Sequence, residues 1–257
     1  MSASSQKDRI FTLGVYRGPP QLSQEELTSK VDALVDNFLA LPVAQKNFLK
    51  FTMMMPNDAL NEDVAMLGVG VPPPCVFLFG QCANGENLTE ILRDEEFTRT
   101  LDAAKGFVLQ DGSWSFSADV TVFIEKPAPA ITGVEAHWHG ALLLKAPRVI
   151  AEQLLGNLEL AIEKYTALPV VQRNLLRYTY WRPNSMIADE LLRVGRPIPE
   201  AESIVLLMCE AETLADLVEI NHHPVVKELI AAGINNPFPQ IETWGFAADV
   251  VIKLNNA

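Results

Sequence analysis

Apolar positions along the chain alternate between two rhythms. Leu27, Val31, Leu34, Val35 and Phe38 fall at i, i+4, i+7, i+8 and i+11, the stripe of a helix that buries one face. Leu154, Leu158, Ala161, Ile162 and Tyr165 repeat the same spacing. Each stripe runs into Leu-Pro (Leu41-Pro42, Leu168-Pro169), where a residue without an N–H is expected to stop the helix. Strands are predicted next, over 48–55 and 175–182, and Pro56-Asn57 and Pro183-Asn184 end them with turn chemistry. Polar helical stretches close near Leu67-Gly68 and Val194-Gly195. Short apolar runs at 76–79 and 204–207 have the length of buried strands, and helices are expected over about 88–104 and 214–232. Opening strands at 10–16 and 137–143, with closing strands at 114–124 and 244–254, complete the pattern.

The pattern occurs twice because the sequence does. ALPVAQKNFLKF (40–51) lies 127 residues before ALPVVQRNLLRY (167–178), with seven of twelve positions identical. Mismatches swap like for like, as in Lys46 with Arg173, Lys50 with Arg177 and Phe51 with Tyr178. WSFSADVTVFI (114–124) lies over WGFAADVVIKL (244–254), the offset having grown to 130. Each half therefore reads strand, helix, strand, short helix, strand, helix, strand, the order of a ferredoxin-like unit with helices on one sheet face. Strands such as 51–55 are apolar on both sides, so the second face also needs cover. Two units laid sheet against sheet supply it. The expected fold is α+β, with two tandem ferredoxin-like units (1–126 and 134–257) joined by a proline-containing linker (127–133). They form a pseudo-dimeric barrel within one chain, for which homodimerisation is not required.

A formal net charge of −12 and the lack of a Lys/Arg cluster argue against nucleic acid and anionic membranes as partners. No apolar run reaches the roughly 18–20 residues of a membrane helix, and MSASSQKDR lacks an apolar signal core, so the expected location is the cytoplasm. Cys75, Cys82 and Cys209 form no C-x-x-C pair and read as reduced, buried thiols. G-x-S-x-G, G-x-G-x-x-G, Walker and H-E-x-x-H motifs are absent, and no cofactor is expected.

On this layout the chain resembles the dimeric α+β barrel superfamily, and within it fungal EthD-type proteins with two tandem units. The superfamily includes cofactor-free monooxygenases of aromatic polyketides, polyketide cyclases, muconolactone-type isomerases and stress-responsive barrel proteins. The resemblance implies a small hydrophobic ligand held between sheet and helices, and it does not choose a reaction. Members often carry His-x-Pro where the first helix ends. Here Ala40-Leu41-Pro42 and Ala167-Leu168-Pro169 keep the proline without the histidine.

All four histidines lie in the second half. His137 and His139, in EAHWHG, project from one face of a predicted strand and Trp138 from the other. Imidazole titrates near neutral pH, so the pair reads as acid or base, as hydrogen-bonded structure, or as two ligands of a metal completed by Glu135 and Glu210. Taken as catalytic, His137 and His139 would work beside substrate-binding Tyr178, Tyr180, Trp244, Trp138 and Glu210, with no metal. The first half offers Ile10, Thr12, Phe51 and Met53 instead, which places the expected pocket in the second half. His222-His223-Pro224 marks a break or a fresh helix start. Asp119 and Asp249, mid-strand in both halves, read as seam residues hydrogen-bonded or paired to Lys or Arg. Two functions follow from these residues. One is a cofactor-independent cyclase, isomerase, lyase or monooxygenase with histidine-assisted proton transfer. The other is a non-catalytic ligand-binding or stress-associated barrel.

Overall fold

A computed structural model describes residues 4–5, 9–104, 106, 113–127, 137–146, 148–188, 203–234 and 242–256. The strands are β1 (Ser4–Ser5), β2 (Ile10–Arg17), β3 (Phe48–Asn57), β4 (Cys75–Cys82), β5 (Trp114–Glu125), β6 (Trp138–Ala146), β7 (Leu175–Asn184), β8 (Ser203–Ala211) and β9 (Glu242–Asn255). Helices α1 (Gln24–Leu39), α2 (Pro42–Asn47), α3 (Asn61–Met66), α4 (Gly85–Arg93) and α5 (Glu95–Ala103) belong to the first half. Helices α6 (Arg148–Thr166), α7 (Pro169–Asn174), α8 (Leu214–His222) and α9 (Pro224–Ile234) belong to the second.

Helix α1 begins in a capping box, where the Ser23 hydroxyl accepts from the Glu26 N–H and the Glu26 carboxylate accepts from the Ser23 N–H. It buries all five residues of the apolar stripe, Leu27, Val31, Leu34, Val35 and Phe38. Proline ends this helix as expected, but Pro42 and Pro169 also open six-residue helices, because a missing N–H costs nothing in a first turn. Both long helices break, the second at His222-His223-Pro224 as expected and the first at Asp94, where a single run was expected. Asp94 (φ −68°, ψ 125°) caps α5 by accepting from the Glu96 and Phe97 N–H groups. His223 takes nearly the same extended backbone (φ −66°, ψ 127°), the conformation favoured before a proline. The helix expected to end near Val194-Gly195 and the linker residues 128–133 lie outside the described residues.

The strands pair in the order β5-β2-β4-β3-β9-β6-β8-β7, and β7 pairs back onto β5, closing an antiparallel barrel of eight strands. Strand β1 adds to the side of β5 at Ser4↔Val122. Within each half the fourth strand lies beside the first, then the third, then the second. The fold is α+β, and closure leaves the barrel no free strand edge. The seams between the halves are β3–β9 and β5–β7. At them Asn57 Nδ2 donates to Asp249 at 3.0 Å and Asn184 Nδ2 to Asp119 at 2.9 Å. The aspartates thus sit at the seams as expected, held by the asparagines of the Pro-Asn turns.

Helices cover the outside of the barrel and side chains fill its inside. Every residue of β4 is buried, since one face meets helices and the other the lumen. Phe77 and Phe246 meet at the centre with ring centroids 5.0 Å apart. One end is closed by Trp114 stacked on Trp244 at 5.7 Å, with the Arg17 guanidinium 4.4 Å over Trp244 and paired to Glu242 at 3.1 Å. Among the described residues no helix is long and apolar enough to cross a membrane.

Candidate functional site at the open end of the barrel

A cavity of about 680 Å³ occupies the end of the lumen away from the tryptophan stack. Its floor is aromatic, with Trp181 meeting Phe11 at 5.5 Å and Phe79 at 5.1 Å, both edge to face. Trp181 Nε1 donates to Thr179 at 3.1 Å, which fixes the indole. The walls carry His137, His139, Glu210, Lys50, Arg177 and Gln81.

The chemistry concentrates between β6 and β8. These strands pair His139 with Glu210, and the preceding His137 reaches the same carboxylate through a hydrogen bond from its Nδ1. The side chains of His137 and Glu210 are 12% and 24% exposed, so both are shielded yet reachable from the cavity. His139 has its pKa lowered, first by burial and further by His137 and Lys50, against the opposing pull of Glu210. Lys50 is also lowered, first by burial and then by Arg177, with Glu210 opposing. Cys209 lies at the same wall, but burial pushes its thiol up to about 12 and it donates to the Gly140 carbonyl at 3.4 Å. It is no nucleophile near neutral pH.

The structure brings together three of the seven candidate residues, His137, His139 and Glu210. Strand alternation puts the others elsewhere. Arg177, Thr179 and Trp181 face the cavity, so Tyr178 and Tyr180 face the helices of the second half, where Trp138 also packs. Tyr178 lies 5.2 Å from Tyr165, and burial raises its hydroxyl pKa. Tyr180 is pushed up to about 12, and its buried hydroxyl has no hydrogen-bond partner among the described residues. Trp244 is in the lumen but at the sealed end.

The cavity is not confined to the second half, because Arg9, Phe11, Lys50, Thr52, Phe79 and Gln81 line it too. The match of His137 and His139 to Ile10 and Thr12 is likewise corrected. Phe11 stands opposite Ala118 as His139 stands opposite Ala248, and Leu13 opposite Phe116 as Ala141 opposite Phe246. The true equivalents are Arg9 and Phe11, one residue out of step, and Gln81 replaces Glu210. One residue of slip in a strand exchanges its two faces. The basic residues Lys50 and Arg177 were visible as matching charges in otherwise apolar strands, alternating with Thr52 and Thr179. Among the described residues no group of three or more His, Cys, Asp or Glu could hold a metal ion, and Glu135 lies outside them.

The closed barrel and its strand order define a dimeric-type α+β barrel contained in one chain. No protein-family model matches the sequence, and no curated protein matches it. Solved structures do. An anthrone oxidase-like protein superposes with a TM-score of 0.61 at 12% identity, covering 100% of both chains. A proposed monooxygenase from Fusobacterium nucleatum subsp. nucleatum superposes with a TM-score of 0.54 at 6% identity, covering 96% of this chain and 95% of its own. At these identities the likeness is one of fold.

Proposed function

We propose that the protein is an enzyme that moves a proton on a small aromatic or conjugated molecule held in the open end of the barrel, without a cofactor. One observation carries this reading: the His137–Glu210 hydrogen bond forms part of the wall of a cavity with an aromatic floor. A carboxylate on Nδ1 keeps the proton there, leaves Nε2 as the acceptor and stabilises the imidazolium that forms. His139, which burial disposes to the neutral form, is the second group able to pass a proton. Removing a proton from an acidic carbon prepares an aromatic ketone for cyclisation, isomerisation or reaction with oxygen. The anthrone oxidase-like neighbour supports that class of substrate. The two units, 1–126 and 134–257, joined by 127–133, are read as halves of a duplicated domain, so the chain closes the barrel without a second copy.

The test is deuterium exchange at the acidic methylene of anthrone in heavy water, followed by NMR. The intact protein should accelerate exchange, and His137→Gln and Glu210→Gln should each lower the acceleration by about 10²-fold or more, the scale of general base catalysis. Unchanged exchange in both variants would remove these residues from the reaction. Binding of anthrone without exchange would support the second reading, a non-catalytic ligand-binding barrel, which the aromatic floor also suits.

A further inference from the structure

The open end of the barrel is basic, although the whole protein carries a formal net charge of −12. Among the described residues, Arg9, Lys50 and Arg177 line it against one carboxylate, Glu210. Lys50 on β3 and Arg177 on β7 are four strands apart in the ring of eight, so they approach the cavity from opposite walls. Among the described residues the Lys50 ammonium makes no hydrogen bond or ion pair. Among the described residues the buried Arg177 Nε has no hydrogen-bond partner, and Glu125 pairs with it only at 3.9 Å, beyond hydrogen-bonding length. The Arg177 side chain is 40% exposed and stays solvated. Lys50 is half-buried without an ion pair among the described residues, and a cation so placed is costly unless something brings the opposite charge.

We infer that Lys50 and Arg177 form an anion-recognition site and that the ligand is a small aromatic carboxylate or phenolate. Its ring rests on Phe11, Phe79 and Trp181, and its negative oxygen lies between the two cations. The protein's field supports this, since burial and the neighbouring Arg177 both disfavour the charged form of Lys50, a penalty that a bound anion relieves. Arg177, with a planar fork of donors, suits a carboxylate, and Lys50 supplies a point charge from the other wall. This names the ligand class of the site proposed above and rests on that reading for the reaction alone. The charge pairing stands on its own geometry.

The probe is hydroxynaphthoate, with the neutral hydroxynaphthamide as its isostere, titrated calorimetrically against the intact chain. The anion should bind at least tenfold more tightly than the amide. Lys50→Met and Arg177→Gln should each weaken anion binding about tenfold to a hundredfold, the range of a charge-assisted hydrogen bond, and leave the amide unaffected. Lys50→Arg and Arg177→Lys should keep a preference for the anion. Without ligand, Lys50→Met should melt no earlier than the parent, because it removes a poorly solvated charge. Equal affinity for anion and amide would overturn the inference. So would folded Lys50→Met and Arg177→Gln proteins with unchanged affinity, or a failure of either variant to fold, which would make its cation structural. Anion preference without anthrone exchange leaves the ligand assignment standing and removes the proton-transfer reading. Exchange without anion preference does the reverse.

Discussion

The fold acts on the charge of His139. Its pKa in the folded chain lies below the ordinary 6.5, with burial the largest cause. The unfolded chain therefore binds more protons than the folded one just below that value, and stability rises with pH through the window. Seen in the other direction, stability is lost as pH falls below 6.5. His139→Gln keeps a neutral polar group and removes the titration. Thermal melts between about pH 7 and about pH 5 should show the parent losing stability more steeply than this variant. Parallel curves would show that His139 titrates alike in both states. The same residue marks a limit of the sequence. Its identity and its face were legible from alternation, as was Glu210 as its neighbour. Its counterpart in the first half was not, because matching two repeats by identity is blind to the pleat. Phe11, not Thr12, turned out to share its place.

At the scale of elements, apolar periodicity located α1 and the burial of its stripe, and chain order fixed the arrangement of each half. Less legible were the short helices α2 and α7, where proline acts as a start as well as a stop, and the inward face of β7. Tyr178 and Tyr180 drew attention as polar aromatics, but the pleat hands the lumen to Arg177, Thr179 and Trp181. Nothing in the sequence says which face of a strand apolar on both sides is the lumen. That depends on the closure of the barrel. The seams carry a testable difference between the halves. Asn57 donates to Asp249 and accepts from the Ala59 N–H at 3.1 Å. Asn184 donates to Asp119, accepts from the Met186 N–H at 3.3 Å, and also accepts from the hydroxyl of fully buried Ser117. Asn184→Ala should cost about 1–3 kcal/mol, since the buried Ser117 hydroxyl loses its side-chain acceptor and keeps only the Asn184 carbonyl at 3.4 Å, and Asn57→Ala about 0.5–1.5 kcal/mol. Denaturant unfolding of the two variants checks the order, and a larger loss for Asn57→Ala would reverse it.

Across the whole molecule, the two halves share one interior. Phe77 comes from the first half and Phe246 from the second, and their rings meet at 5.0 Å in the middle of the lumen. Strands β3–β9 and β5–β7 bind the halves edge to edge on both sides. Neither half can open without exposing both the shared interior and two strand edges, so separate unfolding of one half is the costlier route. Phe246→Ala removes a ring that is 1% exposed and should cost about 3–5 kcal/mol. If the barrel is one cooperative unit, that loss will not stay in the second half. Native-state hydrogen exchange should show the slowest amides of β4, in the first half, speeding up by the same factor as those of β6. Far-ultraviolet circular dichroism and tryptophan fluorescence should follow one coincident transition in denaturant, with an unchanged slope. Faster exchange confined to β6–β9, or two resolved transitions, would mean that the first half stands alone.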